Sequence, residues 1–509
     1  MRRRVLWALV PCLLLAAPPA RGEETLSERL HAALRQPALR GARVAALVVQ
    51  RGDGGVLFAR DAERRLVPAS NQKILTAIAA LAAFGPTHRF RTEIFADAAL
   101  DAEGSVDFLF VRGGGDPALT SEQVWRLCAD LRRLGLRRVR KGLRVDDSAF
   151  DGERWHPRWG RVSARAYHAP VGALSVNYGA FAVEVSGAAQ RGGPVRVFVD
   201  PPVPYFLVTN RATTGPAGKG RSLVVERLAA DARENVVVSG VVPAASPPKI
   251  YYRSVLDPAR YAGAVIRMQL EANGIEVGGE VRRGPVPEGA APLLAFEGKP
   301  LAEIVRLFLK FSNNAIAEGL VKAMGAREAA AQGSWEGGMR AVRASLAGTG
   351  LDTEGLTLVD GSGLSYENRV APRDLVDALL LADRSFAFGP EFLAALPIAA
   401  ADGTLEERAD GAAHAVRAKT GLLTRVSALS GYAKRGDGGT TVFSVLVNGY
   451  RGSDESVMQA LDRFVSELVS APQASAASAS GGAPMDAVRA GQGAPALEPQ
   501  ELRAPRPPS

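Results

Sequence analysis

A segment of short strand-like runs, residues 91–291, divides this chain of 509 residues into two parts with a mixed helix and strand pattern. Before it, a hairpin pattern is followed by an alanine-rich helix over 71–84. After it, helical periodicity leads to three strand-like runs and a last helix. Because the flanking parts share one character, we predict a single α/β domain, built from 24–90 and 292–470, that an insertion interrupts.

Within the insertion, short runs of β-branched residues alternate with turns rich in glycine and proline. Only 121–134 and 259–273 show clear helical periodicity. The sequence therefore predicts a β-rich insertion that forms either one domain or two. In the two-domain alternative, 171–254 is nested within a domain made of 91–170 and 255–291.

The two ends of the chain have compositions unlike that of the folded part. Arg2-Arg3-Arg4 precedes a short apolar run and the small residues around Ala20, which is typical of a secretory signal peptide over 1–22. The apolar run is too short to span a membrane comfortably, so we expect export and no transmembrane anchor after cleavage. Residues 471–509 are rich in alanine, proline, serine and glycine without periodicity, which predicts a disordered tail.

The formal net charge of +9 raises the question of a nucleic-acid partner, but the distribution of basic residues argues against one. Nearly all of the surplus is arginine, which is scattered along the chain instead of forming a tract with interleaved aromatic residues. We therefore expect a solvated basic surface and no nucleic-acid partner. The five histidines show no paired ligand spacing, so we expect no metal site.

A Ser-x-x-Lys motif, from Ser70 to Lys73, opens the alanine-rich helix. Residues three apart on a helix share a face, so the hydroxyl and the amine can meet. A serine needs a base to become a nucleophile, and a lysine serves once burial or a nearby positive charge lowers its pKa. The same spacing from Ser246 to Lys249 contains two prolines, which exclude a helix, and we interpret it as a turn.

Two further short motifs lie after the insertion. Ser312 and Asn314 fall on a loop between two predicted helices, where they can pass a proton and hold a substrate amide. Taken alone, helix capping explains them better, since serine and asparagine are favoured there. Lys419-Thr420-Gly421 ends a predicted strand. A lysine and a hydroxyl at that place can bind a carboxylate, and the glycine allows a close approach of the backbone.

Ser-x-x-Lys, Ser-x-Asn and Lys-Thr-Gly occur here in the order typical of penicillin-binding proteins and serine β-lactamases. With the long interval from Ser70 to Ser312, the chain resembles the D-Ala-D-Ala carboxypeptidase/endopeptidase group, the class C low-molecular-mass penicillin-binding proteins of peptidase family S13. Similar segments are found at 113–120, 146–151, 176–178, 360–365 and 402–405. The resemblance covers about 24–469 and implies a β-lactamase/transpeptidase-like α/β domain interrupted by β-rich inserted domains.

The resemblance implies a reaction and a role for the first two motifs. Ser70 attacks the carbonyl of a D-Ala-D-X bond with Lys73 as general base, while Ser312 and Asn314 relay the proton and orient the substrate. The substrates implied are peptidoglycan stem peptides and cross-links in the periplasm, and β-lactams acylate Ser70 as inhibitors. No metal or organic cofactor is expected.

The resemblance also implies that the Lys-Thr-Gly motif binds the substrate. Lys419 and Thr420 hold its terminal carboxylate, and Gly421 lets the strand come close. The backbone N–H groups of Ser70 and Leu422 form the oxyanion hole. Leu422 itself departs from the group, which usually has serine or threonine there, so a side-chain contact is lost.

Two other positions concern the recognition of the stem peptide. Tyr366 stands where the group usually has an arginine that shapes the pocket for the peptide side chain. Asp147 resembles an acidic residue of the inserted domain that meets the free amine of the stem peptide.

Two other function classes stay open from the sequence alone. The first is a serine β-lactamase, which turns penicillin over rapidly. The second is an inactive peptidoglycan-binding scaffold, against which the complete motif set argues, because a lapsed enzyme has no reason to keep it.

Overall fold

The computed structural model describes residues 24–218, 221–329 and 331–470. The signal peptide predicted at 1–22 and the disordered tail predicted at 471–509 lie outside the described residues. The described helices are α1 Leu26–Ala33, α2 Gln72–Phe84, α3 Ser121–Arg133, α4 Pro258–Ala272, α5 Leu301–Lys310, α6 Asn314–Ala329, α7 Trp335–Gly348, α8 Pro372–Arg384, α9 Gly389–Ala395 and α10 Asp454–Val469.

The described strands fall in three stretches of the chain. Those of the first part and of the last part are β1 Arg43–Gln50 and β2 Val56–Arg60, then β15 Val416–Leu423, β16 Val426–Lys434 and β17 Thr440–Asn448. Those between them are β3 Arg89–Ala96, β4 Ser105–Gly113, β5 Arg138–Asp146, β6 Ala180–Ser186, β7 Arg196–Asp200, β8 Phe206–Gly215, β9 Ser222–Ala230, β10 Arg233–Pro243, β11 Lys249–Ser254, β12 Glu276–Val277, β13 Glu280–Arg283 and β14 Ala291–Pro300.

Strands from the two ends of the chain form one five-stranded sheet in the order β15-β16-β17-β1-β2. Strand β1 pairs antiparallel with β17, and its side chains alternate between two apolar cores. Ala45, Leu47 and Val49 pack with the α2, α5, α6, α7 and α8 side, whereas Val44 and Val48 pack with α1 and α10. The sheet is therefore the middle layer between two layers of helices, and β15 is one of its two edge strands.

The intervening stretch builds three further sheets. The largest has the order β12-β5-β4-β3-β14, with β13 also paired to β5. Its outer strand β14 covers residues up to Pro300 and pairs with β3, so the sheet extends a few residues past both ends of the predicted insertion. Two three-stranded sheets, β8-β10-β9 and β11-β6-β7, follow β5, and one apolar core joins all three sheets with α3 and α4. The division into separate domains stays a prediction.

The local predictions differ from the structure mainly at β15. The sequence places a strand at 414–418, but the observed strand Val416–Leu423 begins and ends later. The Lys-Thr-Gly motif therefore lies inside a strand instead of ending it. None of the helices described above combines the length and the apolar character that a membrane span requires.

Candidate active site

Ser70 and Lys73 meet at the start of α2, as their spacing predicts. Ser70 lies in a 3-10 turn, Ala69–Asn71, that leads directly into the helix, and Lys73 is fully buried one turn later. The Lys73 Nζ donates to Ser70 Oγ at 3.0 Å, to Asn314 Oδ1 at 2.7 Å and to the Ser362 carbonyl at 2.6 Å. All three hydrogen-bond positions of the amine are thus taken by neutral acceptors.

Burial dominates the electrostatics of this lysine. Transfer out of water disfavours the charged form and lowers the pKa of Lys73 to about 7, although the charges of Glu318 and Asp360 act in the opposite direction. In the described part of the chain, no carboxylate lies within ion-pair distance of Lys73. An amine with a pKa near neutrality can exist in its neutral form and accept a proton.

A second buried lysine completes the cluster. Lys419 Nζ donates to Ser312 Oγ at 2.9 Å and to the Thr420 carbonyl at 2.7 Å. Burial lowers the pKa of Lys419 well below its ordinary value, and the nearby charge of Lys73 lowers it further. Ser312 stands between α5 and α6 with a φ of +55°, a left-handed conformation that is strained for a serine and common at functional sites.

Strand β15 lies directly against the turn that carries Ser70. A Cβ added to Gly421 would stand 2.9 Å from the Pro68 carbonyl oxygen and 3.2 Å from the Ala69 Cβ, so only glycine permits this approach. Asn71 Nδ2 donates to the Lys419 carbonyl at 3.2 Å and ties the turn to the strand. The structure thus brings all three motifs into one hydrogen-bonded cluster.

This arrangement has relatives among known proteins. The model of the D-Ala-D-Ala carboxypeptidase 3 (S13) family matches residues 26–468. The chain belongs to this family. A D-alanyl-D-alanine carboxypeptidase of Actinomadura sp. (strain R39) is 39% identical over 470 residues, which cover 87% of this chain and 86% of the relative. The identification as an S13 protein and the prediction of a serine-type D-Ala-D-Ala carboxypeptidase are confirmed.

Solved structures agree with the fold. Penicillin-binding protein 4 of Haemophilus influenzae gives a TM-score of 0.73 at 26% identity, over 86% of this chain and 98% of that one. The same protein in complex with a novel β-lactam gives a TM-score of 0.69, with the same identity and coverage. The predicted α/β fold class is confirmed.

The insertion of this S13 carboxypeptidase also contributes to the cluster. Asn314 Nδ2 donates to the Tyr167 carbonyl at 2.9 Å, which fixes the amide orientation that offers Oδ1 to Lys73. Trp159, which also belongs to the insertion, donates from Nε1 to Asp360 Oδ2 at 2.8 Å. Part of the wall of the site therefore comes from the inserted segment.

Several polar residues of the site lie outside the three motifs. Thr420 Oγ1 donates to Thr404 Oγ1 at 2.7 Å, and the Thr404 loop is held by an ion pair between Lys310 and Asp402 at 2.5 Å. The loop of residues 360–365 supplies the carbonyl that accepts from Lys73. Both loops belong to segments that resemble the family, but nothing in their sequence indicates which of their atoms face the lysines.

Asp147 and Tyr366 do not join the cluster. Asp147 Oδ2 accepts from Arg154 at 2.5 Å and from Arg283, and its side chain is only 13% exposed. Tyr366 is half exposed and donates weakly to the Thr424 carbonyl at 3.4 Å. Leu422 is 45% exposed, so its side chain faces solvent beside the strand edge. The role that the resemblance implies for Asp147 toward a substrate amine stays untested, and the two guanidinium groups that hold its carboxylate argue against it.

Proposed function

We propose that Ser70 is the nucleophile of this D-Ala-D-Ala carboxypeptidase and that Lys73 removes its proton. The observation that carries the proposal is a fully buried amine with neutral partners in hydrogen-bond contact with the Ser70 hydroxyl. In the neutral amine, the two hydrogens go to Asn314 Oδ1 and the Ser362 carbonyl. The lone pair then faces Ser70 Oγ, which is the position of a general base.

The acylation step follows from this contact. Ser70 Oγ forms a bond to the carbonyl carbon of the D-Ala-D-Ala bond, and its proton passes to Lys73. When the C–N bond breaks, the proton reaches the leaving amine through Lys73 or through Ser312, which bridges to the second lysine. Water then hydrolyses the ester, and the peptide leaves with a new carboxyl end.

The strand edge supports an oxyanion hole. Ala418 N donates to the Pro397 carbonyl on the open side of β15, away from β16. Because hydrogen-bonding groups alternate along a strand, the N–H of Leu422 faces the same open side. Together with the Ser70 N–H it offers two donors to the developing oxyanion, and losing one such donor typically costs about 3 kcal/mol of barrier.

The terminal carboxylate of the substrate is assigned to Lys419 and Thr420. Among the described residues, Lys419 Nζ donates to two oxygens and keeps a third donor position for a ligand. Thr420 donates to Thr404 Oγ1, and when a carboxylate binds, the two hydroxyls exchange roles, so that Thr404 donates to Thr420 and Thr420 donates to the carboxylate. A bound carboxylate favours the protonated form of Lys419 and so opposes the lowering of its pKa by burial. The resulting cation and the hydroxyl beside the nucleophile suit a free carboxylate one residue beyond the bond that breaks.

We assign peptidoglycan stem peptides as the substrates, with D,D-endopeptidase action on cross-links as a second activity at the same cluster. Acylation by β-lactams and a periplasmic location complete the proposal. The β-lactam complex of the Haemophilus influenzae relative supports the first of these.

The test is intact-protein mass spectrometry of the mature chain after incubation with benzylpenicillin. We expect a penicilloyl adduct on the wild type and none on Ser70→Ala. Ser246→Ala is a matched control, because it removes the serine of the other Ser-x-x-Lys sequence, and it should keep the adduct. Hydrolysed penicillin without an adduct would indicate a β-lactamase, and intact penicillin without an adduct would indicate a scaffold.

The balance of the two peptidase activities needs a separate assay. Release of D-alanine from a pentapeptide reports the carboxypeptidase, and conversion of a cross-linked muropeptide dimer to monomers reports the endopeptidase. Both activities should be lost together in Ser70→Ala, because one nucleophile serves both. Loss of only one would contradict a shared site.

A further inference from the structure

A buried carboxylate behind Lys73 has no part in the reaction as described so far. Glu318 lies on α6 one turn after Asn314, on the same face of the helix, and is fully buried. Its Oε2 accepts from Trp335 Nε1 at 2.8 Å and from the Gly361 N–H at 3.2 Å, and its Oε1 accepts from the Ser362 N–H at 2.7 Å. A carboxylate that only accepts suits the ionised form.

Ser362 connects this carboxylate to the proposed base. Its N–H donates to Glu318, while its carbonyl accepts from Lys73 Nζ at 2.6 Å. The neighbouring peptide is fixed from the other side, because Thr76 Oγ1 donates to the Gly361 carbonyl at 2.7 Å. The position of one of the three acceptors of Lys73 therefore depends on Glu318.

In the described part of the chain, several charged and titratable groups surround Glu318. The charge of Asp360 acts on Glu318, the charge of Glu318 acts on Lys73, and the charge of Lys73 acts on Lys419. Lys322 Nζ lies 3.8 Å from the centroid of the Trp335 ring and is paired with Asp151.

His156 packs edge-on against the same ring, and burial lowers its pKa. Burial and the charge of Asp360 raise the pKa of Glu318 to about 7, whereas the hydrogen bonds to its oxygens act against this. Near neutrality, Glu318 and Lys73 therefore influence each other's protonation.

We propose that Glu318 is a positioning residue of the acylation step, which holds the Ser362 carbonyl against Lys73 and whose negative charge stabilises the protonated form of Lys73. The inference rests on the proposed role of Lys73 as the base for Ser70. When Lys73 takes the proton of Ser70 it becomes an ammonium ion, and the buried charge of Glu318 offsets part of the cost of that ion. Glu318 itself does not touch the reacting atoms.

The negative charge of Glu318 affects the pH dependence of acylation. Removing it in Glu318→Gln lowers the pKa of Lys73 further, so a larger fraction of the amine is neutral at acidic pH. The acid limb of the rate profile then moves to lower pH. The maximal rate falls at the same time, because a less basic amine is a weaker general base.

The experiment is the second-order rate of acylation by benzylpenicillin, measured across neutral pH for the wild type, Glu318→Gln and Thr76→Val. For Glu318→Gln we expect the acid limb to move down by less than about one pH unit, because Glu318, with a pKa of about 7, is itself partly protonated on that limb. The maximal rate should fall by up to about tenfold. Thr76→Val is the matched control, since it removes a neutral hydrogen bond to the same loop. It should lower the rate without moving the limb.

If Glu318→Gln folds and its acid limb does not move, the charge of Glu318 does not stabilise protonated Lys73, and that part of the proposal is overturned. If that variant does not fold, Glu318→Asp decides the positioning part, because its shorter side chain keeps the charge but cannot reach the loop. We expect it to be slower with an unmoved limb, and a wild-type rate at every pH would overturn the proposal. Failure of the wild type to acylate at all would instead refute the proposed function.

Discussion

Two buried charge clusters in this molecule, one in the active site and one in the insertion, have opposite designs. In the insertion, Glu234 is 1% exposed and accepts from Tyr205 Oη at 2.5 Å and from the Leu256 N–H at 2.6 Å. The guanidinium of Arg227 lies 3.8 Å from its other oxygen. Burial raises the pKa of Glu234, while Tyr205, Leu256 and Arg227 oppose the rise.

The active-site lysines are buried as deeply but lack such a counter-charge in contact. Lys73 and Lys419 donate only to hydroxyl, amide and carbonyl oxygens among the described residues. Lys310 and Lys322, in the same α/β part, each have a carboxylate at 2.5 Å. All four lysines are buried, so burial alone does not distinguish them. A carboxylate in direct contact marks the structural lysines, and its absence marks the reactive ones.

The largest predicted effect is that of replacing Lys73, a buried lysine without a counter-charge in contact. Lys73→Met removes the proposed base, so the rate of acylation by benzylpenicillin should fall about 10²–10⁴-fold. The free energy of unfolding should fall by about 1–3 kcal/mol at most, because the substitution leaves the buried Asn314 Oδ1 and Ser362 carbonyl without their donor but breaks no ion pair in direct contact. Lys249→Met is the control for the other Ser-x-x-Lys sequence and should acylate normally. A Lys73→Met protein that acylates at the wild-type rate would remove Lys73 from the mechanism.

The insertion cluster should show the reverse behaviour. Glu234→Gln leaves Arg227 buried without a counter-charge, so the free energy of unfolding should fall by about 3 kcal/mol. The acylation rate of the folded protein should stay within about twofold of the wild type, since Glu234 has no contact with the site. Urea unfolding and acylation kinetics on the same samples measure both. A large loss of acylation in a fully folded variant would show that the two clusters are coupled.

The pH dependence of the wild-type acylation rate tests whether Lys73 is a buried lysine with a lowered pKa. Lys73 acts as a base only when neutral, and its pKa is lowered to about 7, so acylation should lose about tenfold for each pH unit below that value. Burial lowers the pKa of His156 and of His168 below 6.5, so their titration would fall at more acidic pH. Rates of penicilloyl formation at constant ionic strength measure the limb. A limb centred near the ordinary pKa of lysine would mean that Lys73 is not desolvated.

Local rules were sufficient for some of this architecture. A helix start fixes the geometry of residues three apart, so the contact of Ser70 with Lys73 follows from their spacing. The strands at both ends of the chain are recognisable from their patterns, and their union in one sheet follows from the α/β character of the flanks. The contact of Ser312 with Lys419 joins residues on separate elements. The resemblance to a family implied one active site for both residues but not this contact.

The rest depends on contacts that no local pattern carries. Glu318 sits in a helix where a charged residue ordinarily faces solvent, and its burial arises only when α7 and the loop of residues 360–365 cover it. Tyr167 enters the site from the insertion through its backbone carbonyl, which any residue type possesses. The sequence does not predict the extension of β15 to Leu423, because the motif interrupts the hydrophobic pattern of the strand.

The smallest predicted effect is that of replacing Asp147. Like Glu234, Asp147 has a guanidinium counter-charge. Arg154 and Arg283 already hold its carboxylate, so a substrate ammonium would have to displace a guanidinium. For Asp147→Asn we expect a loss of about 1 kcal/mol in the free energy of unfolding. The ratio of kcat/KM for a stem peptide with a free side-chain amine to that for its N-acetylated form should not change. A tenfold fall in this ratio would mean that Asp147 recognises the amine, and that a buried ion pair of the insertion also serves the substrate.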